Sequence, residues 1–590
     1  MKKFFLVFLS FLIVILFSSC SNNNIDSTIN TRKNISFLID DNIEIELNDY
    51  NKEYNYSNYV KCYSNNKEVP YNELEFTYID KPKCGSYSIY VSYQNKKEEF
   101  KINIFEYINV GIYYGAEKRN YSLKSGNNLE ALLLDNTYVM NNNEMVTIEG
   151  YYKEYSYNNK INLNDPINEN IDVYAKCIYT DNTVIQKTDS SIINNNLNNY
   201  INSLINSTKS YIPSWNKEGF KGRWNYIDGV FLNSIISLYK ETNNEIYKKF
   251  VIKYVNYYID NNGSFINQKN DESGYKEGEL DSVCESRILF DLYEYTNDSR
   301  YLKAIENTYK SLCNIPKAYG TINYSHKDIY LNQIWLDGMY MYIPFLARYA
   351  NMTNNKSIFD DIKKQYEYIR NNMFDENKKL YYHGHDTTKT IFWADSKTGN
   401  SESFWLRSNG WFIVSLVDLL EYYPACSNRE YLKELLNEAI LGILKYQDEK
   451  SKMFYQLVDK GPTLYFVDGS YLNGLKNNTY GNKDSSIKNY LESSGSSMIA
   501  YSIMKASRLG YINKKYISNG IDIFEGIYNY CFKNNSLNNI CITAGLGPKE
   551  KLYRDGSIAY YLSEQVGSDD AKGVGPFIMA FIEYERNNKM

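Results

Sequence analysis

A single acid, Asp337, stands near the start of an apolar stretch over residues 332–350. The apolar side chains suffice for a buried helix, which we predict over 333–350. Burial disfavours the charged form of a carboxyl group, so Asp337 is expected to keep its proton near neutral pH. A protonated carboxyl group is what general acid catalysis requires. The alternative is that Asp337 caps the helix by accepting backbone N–H bonds.

A second acid, Asp281, precedes another predicted helix, over 283–297. If the helices close into a ring of hairpins, the residues that enter each inner helix lie around one end of it. Asp281 and Asp337 would then be neighbours at that end. The alternative is structural, because Ser282 and Glu285 have the spacing of a capping box. Asp281 would then be an ordinary acid of the first helical turn.

Aromatic and basic side chains are concentrated between Tyr381 and Trp411. Trp405 and Trp411 can stack on a sugar ring, and the donor fork of Arg407 can bind a carboxylate or hydroxyl groups. The alternative is that the tryptophans pack inside a helix and Arg407 makes a surface ion pair. The pattern favours an anionic sugar as the ligand of this segment.

Metal binding by the same segment is the competing chemistry. His383, His385 and Asp386 could ligate a cation. Zinc sites normally need a third or fourth protein ligand at suitable spacing, and the neighbouring sequence offers none. We therefore predict no metal and no other cofactor.

Helical periodicity dominates from about residue 190 to the end. Related segments recur at equal spacing: LYKETNNEIYKK from Leu238, LYEYTNDSRYLKA from Leu292 and LARYANMTNNKSIFDD from Leu346. Each predicts a helix, a short polar turn and a second helix. About a dozen such helices can close into an (α/α)6 barrel over 190–590, or form an open solenoid. Long irregular insertions between the later helices favour the barrel.

Two β-rich segments precede the helices. Short runs of β-branched and aromatic residues over 34–105 predict an immunoglobulin-like β-sandwich. Residues 106–180 resemble the Listeria–Bacteroides repeats of bacterial surface proteins in Gly150-Tyr151-Tyr152, Pro166-Ile167 and Asp172-Val173-Tyr174-Ala175-Lys176, although Cys177 replaces the usual closing Trp. That resemblance implies a β-grasp-like spacer or adhesive module. Cys62 with Cys84, and Cys531 with Cys541, could form disulfides, which the sequence alone does not decide.

The N-terminus predicts export. Lys2 and Lys3 precede an apolar run over 4–17, and small residues then lead to Cys20. This pattern resembles the bacterial lipobox, so residues 1–20 are predicted to be a lipoprotein signal peptide and Cys20 the lipidated residue. Residues 21–33 form a polar tether. We predict a membrane-anchored lipoprotein of the periplasm or the cell surface; the alternative is an ordinary cleaved signal peptide.

The overall composition is that of a globular, multidomain protein. The chain has 590 residues, of which 43% are hydrophobic and 16% aromatic. Its formal net charge is -5, so it lacks the net positive charge that is typical of nucleic-acid-binding proteins. All three histidines and all six tryptophans fall in the helical region.

The helical region resembles the unsaturated rhamnogalacturonyl hydrolases of glycoside hydrolase family 105, and more distantly the unsaturated glucuronyl hydrolases of family 88. The matching motifs occur in family order: WNYIDG at Trp224, LD at Asp281, QIWLDGMYM around Asp337, YHGHD at His383, FWLRSNGW over 404–411, YLESSGSSMIAY from Tyr490, GLG at Gly545, RDGS at Arg554 and DAKGVGPF from Asp570. Leu406 departs from the small residue usual in the family, as do Cys284 and Glu285 from the residues that commonly follow the first acid. These departures bear on substrate specificity.

The resemblance implies an (α/α)6 barrel that removes a Δ4,5-unsaturated uronic acid from the non-reducing end of lyase-generated oligosaccharides, with the rhamnogalacturonan type favoured. It implies hydration of a vinyl ether, with Asp337 as general acid and base and Asp281 orienting the sugar hydroxyls. The implied substrate-binding residues are His383, Trp405, Arg407, Trp411, Trp335, Trp224 and Tyr226.

Two other functions remain open on the sequence. One is a conventional glycosidase on the same barrel, with Asp281 and Asp337 as acid and base. The other is a non-catalytic surface lipoprotein that binds glycans. The sugar that follows the uronate, the membrane leaflet and the oligomeric state do not follow from the sequence.

Overall fold

The computed structural model describes residues 34–132, 134–180, 188–207, 224–266, 275–318, 321–322, 330–467 and 485–588. The predicted signal peptide, Cys20 and the tether lie outside these residues. Within the described ranges, no helix is both long and apolar enough to cross a membrane. The eight cysteines of these ranges are all free thiols, including both pairs considered above.

One compact unit takes in residues up to Ile108, with Leu123–Asn127 and Pro166–Glu169. Its strands are β1 Ile35–Ile39, β2 Ile43–Glu46, β3 Val60–Ser64, β4 Lys67–Glu68, β5 Glu75–Phe76, β6 Gly85–Tyr93 and β7 Lys96–Phe105. They form a three-stranded sheet, β1-β3-β4, and a four-stranded sheet, β2-β7-β6-β5. Alternating side chains of both sheets, such as Ile45 and Val60, fill one apolar core. The N-terminal region is therefore β-rich.

The second unit contains the rest of the chain and begins with a larger sheet. Its long strands are β8 Tyr107–Tyr114, β9 Glu117–Lys124, β10 Thr137–Val139, β11 Met145–Tyr152 and β12 Ile171–Tyr179. Strand β12 pairs in parallel with β8 and antiparallel with β11. Here the structure differs from the predicted self-contained module, because this sheet does not end with the segment 106–180.

Two strands from the helical region complete that sheet. They are β19 Thr463–Val467 and β20 Ser485–Lys488. Cys177 and Ile178 of β12 pair antiparallel with Leu464 and Thr463, and β20 pairs with β19. The result is one seven-stranded sheet. Its pairing partners lie almost 300 residues apart in sequence, which is why a local pattern did not predict it.

The helices are α1 Ser190–Ser207, α2 Tyr226–Thr242, α3 Glu245–Tyr258, α4 Leu280–Glu285, α5 Ile288–Thr296, α6 Ser299–Cys313, α7 Gly338–Thr353, α8 Lys356–Met373, α9 Leu406–Leu419, α10 Ser427–Leu444, α11 Ser493–Arg508, α12 Ile517–Cys531, α13 Ile558–Ser563 and α14 Ala571–Asn588. Short strand pairs join some of them: β13 Lys317–Ala318 with β14 Thr321–Ile322, β15 Gln333–Trp335 with β18 Gly384–Asp386, β16 Phe374–Asp375 with β17 Leu380–Tyr381, β21 Phe532–Lys533 with β22 Ser536–Leu537, and β23 Ile540–Cys541 with β24 Val566–Gly567.

Helices α2, α4, α7, α9, α11 and α14 pack side by side in a closed ring, with α14 returning to α2. Outside this ring, α3 packs on α2, α6 on α5, α8 on α7, α10 on α9 and α12 on α11. A large apolar core fills the space between the two layers. Each hairpin therefore buries its inner face against its neighbours, as the repeat predicted.

Two predicted helices differ from the observed ones. The helix predicted over 283–297 is interrupted at Ser286 and Arg287, which separates α4 from α5. The helix predicted over 333–350 begins only at Gly338, because Gln333–Trp335 pairs as a strand with Gly384–Asp386. The first break ends the ring helix α4, and the second delays the start of the ring helix α7 to the residue after Asp337.

Candidate active site

Asp337 lies at the start of α7 and is only 8% exposed. Its carboxylate accepts no hydrogen bond from the first turn of the helix, so the alternative role of a capping residue is wrong. Its Oδ2 lies 3.1 Å from Nε2 of His383. The angles of this contact are not those of a hydrogen bond, and both atoms are buried with no other partner among the described residues. Both atoms therefore keep hydrogen-bonding capacity for a third group.

A strand pair brings His383 to Asp337. Trp335 pairs with Gly384 across β15 and β18, and Leu336 N donates to His383 O at 2.8 Å. A side chain at Gly384 would meet Leu546, since a Cβ there would lie 2.3 Å from it. This close approach explains why glycine follows the histidine.

Tyr561, in α13, contacts the other nitrogen of the imidazole. Its hydroxyl lies 2.5 Å from His383 Nδ1. Burial raises the pKa of Tyr561 well above its usual value, and the charge of Asp337 raises it further. The phenol is therefore neutral at physiological pH. The sequence offered only an indirect signal for this residue, which lies between the motifs that begin at Arg554 and Asp570.

Residues at the starts of several ring helices converge on the hydroxyl of Tyr226, the first residue of α2. Burial raises the pKa of Tyr226 above its usual value. The charged groups that also act on this hydroxyl are those of Asp281, Arg407, Asp570 and Asp337. Asp570 immediately precedes α14, and the others begin α4, α9 and α7. The structure thus brings the two predicted acids to the same end of the ring.

Trp335, His383 and Trp405 form an aromatic wall beside Asp337. The ring centroids are 5.6 Å apart for Trp335 and His383, and 4.8 Å apart for His383 and Trp405. The indole N–H of Trp335 donates to Gln333 Oε1, and that of Trp405 donates to Gln456 Oε1, both at 3.2 Å. These bonds fix both indole rings, so the imidazole contacts two rigid neighbours.

Arg407 is 2% exposed, so the alternative of a surface ion pair is wrong. Its Nη1 donates to Cys541 O at 2.5 Å and to Ser494 Oγ at 3.2 Å. Its guanidinium group also lies over the Trp405 ring, 4.8 Å from the centroid. The side chain is therefore anchored through one nitrogen in the interior of the ring.

Trp411 and Trp224 pack in the helical core, and each is 1% exposed. Trp411 stacks on Tyr340 at 4.4 Å between centroids. The indole N–H of Trp224 donates to Ser282 O at 3.2 Å and lies 3.3 Å from Ser286 Oγ. Trp411 packs α9 against α7, and Trp224 ties α2 to α4. That these two residues contact the sugar stays a prediction.

Asp281 is half-buried in the first turn of α4. The predicted capping box does not form, because the helix carries no side-chain cap and begins after Glu279. Ser282 Oγ accepts from Lys276 N at 3.1 Å instead, and Glu285 is fully buried. The spacing of Ser282 and Glu285 therefore does not form a capping box. The Ser282 hydroxyl instead binds the backbone of the loop before α4.

His385 and Asp386 have structural roles. The carboxylate of Asp386 accepts from the backbone N–H groups of Thr390 at 2.7 Å and Ile391 at 2.9 Å. His385 Nδ1 lies 3.0 Å from Asn400 Oδ1. In the part of the chain that the structure describes, no three His, Cys, Asp or Glu side chains are grouped so as to hold a metal ion.

Residues 200–465 and 479–588 match the family model of Glycosyl Hydrolase Family 88. A solved structure from C. acetobutylicum, a glycoside hydrolase from family 105, is similar with a TM-score of 0.56 and 33% identity, covering 66% of this chain and 98% of that one.

Curated relatives are also similar to this chain. The "24.9 kDa protein in picA locus" of Rhizobium radiobacter is 31% identical over 252 residues, which is 41% of this chain and 97% of that protein. The unsaturated 3S-rhamnoglycuronyl hydrolase of Formosa agariphila is 29% identical over 115 residues, 19% of this chain and 30% of that protein.

Proposed function

The chain belongs to Glycosyl Hydrolase Family 88, and from this premise we propose that it removes a Δ4,5-unsaturated uronic acid from the non-reducing end of lyase-generated oligosaccharides. Membership of the family makes the chain a glycosidase. The proposal is carried by Asp337 Oδ2 and His383 Nε2, two buried polar atoms 3.1 Å apart that have no hydrogen-bond partner among the described residues.

The closed ring of helices is the inner layer of an (α/α)6 barrel in this proposal. The ring order supports it, because each inner helix except α14 contacts the next one along the chain and α14 returns to α2. The reacting sugar would bind at the end where the ring helices begin. Tyr226, Asp281 and Asp337 are all found at that end.

The reaction begins with protonation of C4 by the carboxyl group of Asp337. The C4=C5 bond is part of a vinyl ether, so the cation that forms at C5 is stabilised by the ring oxygen. Water then adds to C5 and gives its proton to the Asp337 carboxylate, which restores the acid. Asp337 thus acts first as general acid and then as general base.

The hydrated sugar then breaks down without a second catalytic acid. The hydroxyl group at C5 makes that carbon a hemiketal. The bond between C5 and the ring oxygen breaks, which leaves a ketone at C5 and a hemiacetal at C1. Collapse of the hemiacetal releases the neighbouring sugar as an alcohol. Net addition of one water molecule accounts for all atoms.

Several side chains would hold the unsaturated ring. Asp281 and Tyr226 would orient its hydroxyl groups at the helix starts. His383 and Arg407 would bind hydroxyl and carboxylate oxygens, since a guanidinium group pairs well with carboxylates. Trp335 and Trp405 would form the wall behind these groups. Their indole N–H groups are already occupied by glutamines.

The sugar that follows the uronate is of the rhamnogalacturonan type in this proposal. The similarity to a family 105 glycoside hydrolase at 33% identity supports it. So does the similarity to a relative named as an unsaturated rhamnoglycuronyl hydrolase. The sequence around Cys20 further supports an exported lipoprotein that is anchored to a membrane and acts in the periplasm or at the cell surface.

The test uses the ultraviolet absorbance of the conjugated double bond, which hydration destroys. Purified protein would be mixed with lyase products of rhamnogalacturonan and, separately, of glycosaminoglycans. We expect the absorbance to fall with the first set. Saturated oligosaccharides of the same sugars are the control, because a vinyl-ether mechanism cannot use them. Release of sugar from the saturated set, with unchanged absorbance in the other two, would replace this proposal by a conventional glycosidase.

A further inference from the structure

We propose that Tyr561 is a positioning residue that fixes the tautomer of His383, so that the Nε2–H bond of the imidazole faces Asp337. Its catalytic consequence rests on the function proposed above. The tautomer itself does not, and it can be measured without turnover. The proposal depends on two contacts, one at each nitrogen of the same imidazole.

At Nδ1, the contact partner is a phenol that needs an acceptor. Tyr561 is fully buried, and its hydroxyl lies 2.5 Å from His383 Nδ1. If Nδ1 carried the proton, the hydroxyl hydrogen would have to point elsewhere. Within the described residues, no other hydrogen bond of this hydroxyl is found. A buried donor left without an acceptor is unfavourable. The tyrosine therefore donates to Nδ1.

At Nε2, the contact partner is a carboxylate. Nε2 lies 3.1 Å from Asp337 Oδ2. With Nδ1 acting as acceptor, a neutral imidazole has its hydrogen on Nε2. That hydrogen lies on the side of Oδ2, which can accept it when the proton of Asp337 is on Oδ1 or has left, whereas the opposite tautomer would set two lone pairs against each other. Both contacts favour the same tautomer.

The neighbouring rings oppose a rotation that would exchange the two nitrogens. Trp405 and Trp335 both contact the imidazole, with centroids 4.8 Å and 5.6 Å from its own. Both indoles are tied to glutamines by their N–H groups. Tyr561 also stacks on Trp405, with centroids 6.0 Å apart. The imidazole orientation is therefore set by packing, and its tautomer by the tyrosine.

The consequence for the reaction concerns the moment when Asp337 has lost its proton to C4. A carboxylate then remains in a buried place, and the Nε2–H dipole of His383, 3.1 Å from Oδ2, stabilises its charge. His383 itself transfers no proton in this scheme. Water later returns the proton to Asp337, so the cycle closes without a change in His383 or Tyr561.

Nuclear magnetic resonance of protein labelled with 15N-histidine tests the proposal directly. The chain has only three histidines, so the signals are few. His383→Gln identifies the signal of His383. We expect wild-type His383 as the neutral tautomer with its hydrogen on Nε2. Tyr561→Phe should lose this preference and show a mixture of tautomers or a protonated ring. A hydrogen on Nδ1 in the wild-type protein would overturn the proposal, even if the variant failed to fold.

Tyr560→Phe is the matched control. Tyr560 is equally buried on the same helix, but its hydroxyl accepts from Gly545 N at 2.8 Å. The control should leave the His383 signal unchanged. An unchanged signal in Tyr561→Phe, or the same change in both variants, would also overturn the proposal.

Kinetic measurements test the positioning role of Tyr561 and the proposed function separately. On the unsaturated substrate, Tyr561→Phe should lower kcat by about 10-fold to 100-fold with little change in KM, as loss of a group that orients a histidine does elsewhere. A wild-type protein that is inactive on this substrate but shows the expected tautomer would refute the function alone. An active Tyr561→Phe variant with unchanged kcat would refute the positioning role alone.

Discussion

The carboxylate of Asp337 contributes little to the stability of the fold. The side chain of Asp337 makes no hydrogen bond to the helix that follows it, and within the part of the chain that the structure describes its Oδ2 has no hydrogen-bond partner. Removing the charge should therefore affect chemistry more than folding. This separation of roles makes the residue a clean target for substitution.

We expect Asp337→Asn to abolish turnover of unsaturated oligosaccharides. The amide has nearly the same shape but cannot donate a proton to C4, so kcat should fall by at least about 100-fold. The absorbance assay measures this loss. Denaturant unfolding and binding of the unsaturated substrate should change little. Residual activity close to that of the wild type would remove Asp337 from the role of general acid.

A second prediction concerns Glu285, which is fully buried at the end of α4. Burial raises its pKa well above the usual 4.5, and the nearby charge of Asp228 raises it further. The folded state therefore holds the proton more tightly than the unfolded state. The stability that Glu285 contributes is complete below pH 4.5 and is lost as the pH rises through its folded pKa.

We expect Glu285→Gln to gain stability relative to the wild type as the pH rises, by at most about 1.4 kcal/mol per pH unit. Denaturant unfolding on the acidic and alkaline sides of neutrality measures the difference. Glu294→Gln, at an exposed position of α5, is the control and should show no such trend. A constant difference across pH would mean that Glu285 is ionised in the folded protein.

The site could be predicted from the sequence only in part at this scale. Asp337 was found because burial makes an ionised acid costly, and Asp281 because the starts of the inner helices meet at one end of a ring. Trp224 and Trp411 were assigned to the sugar because indole rings serve equally well in cores and in binding sites. Tyr561 could not be found, since a phenol that supports an imidazole leaves no local pattern.

Among the elements, the hairpin turns show how the repeat folds. Each turn has one asparagine with a left-handed backbone, and these are Asn243, Asn297 and Asn354 with φ of 52°, 54° and 50°. The next residue caps the following helix with its side chain, and these are Asn244, Asp298 and Asn355. The Thr-Asn-Asn/Asp sequence therefore ends one helix and begins the next.

We expect Asn297→Ala to lower the free energy of unfolding by about 1 kcal/mol, because alanine is strained in the left-handed region. Asn297→Gly is the matched control and should cost little, since glycine has no Cβ. Urea unfolding measures both. Equal losses in the two variants would show that the asparagine side chain, and not the backbone angle, matters at this turn.

The helices could be predicted well from their periodicity, and their starts less well. The pattern over 333–350 is apolar throughout, so it does not distinguish the strand Gln333–Trp335 from the helix that follows. The strand exists because Gly384–Asp386 pairs with it. A local sequence pattern cannot indicate a pairing partner that is distant in sequence.

For the whole molecule, the seven-stranded sheet makes the second β-rich segment part of the enzyme unit. The hydroxyl of Tyr157 donates to Leu464 O at 3.0 Å, and its ring lies 5.1 Å from that of Tyr465. Tyr465 belongs to the same apolar cluster as Trp405 of the aromatic wall. The predicted role of a separate spacer therefore does not describe this segment fully.

We expect Tyr157→Ala to lower both stability and kcat/KM. Loss of a fully buried large aromatic side chain costs about 3–5 kcal/mol, and the partly buried Tyr157 should cost less. The cavity would lie beside the cluster that supports Trp405. Thermal unfolding and the absorbance assay measure the two effects. Tyr155→Ala, at a side chain that is 45% exposed, is the control. Equal effects of both variants would show that the sheet does not support the site.

The common orientation of the ring helices has an electrostatic consequence. Helices α2, α7, α9 and α14 all direct their N-termini towards the same place. Each helix terminus carries roughly half a positive unit charge from its aligned peptide dipoles. This positive field offsets part of the negative charge that Asp281 and Asp570 bring to the same end of the ring. For the proposed substrate, the helix termini would therefore reduce the repulsion of the uronate carboxylate, and dissolved salt should weaken this effect over about 10 Å.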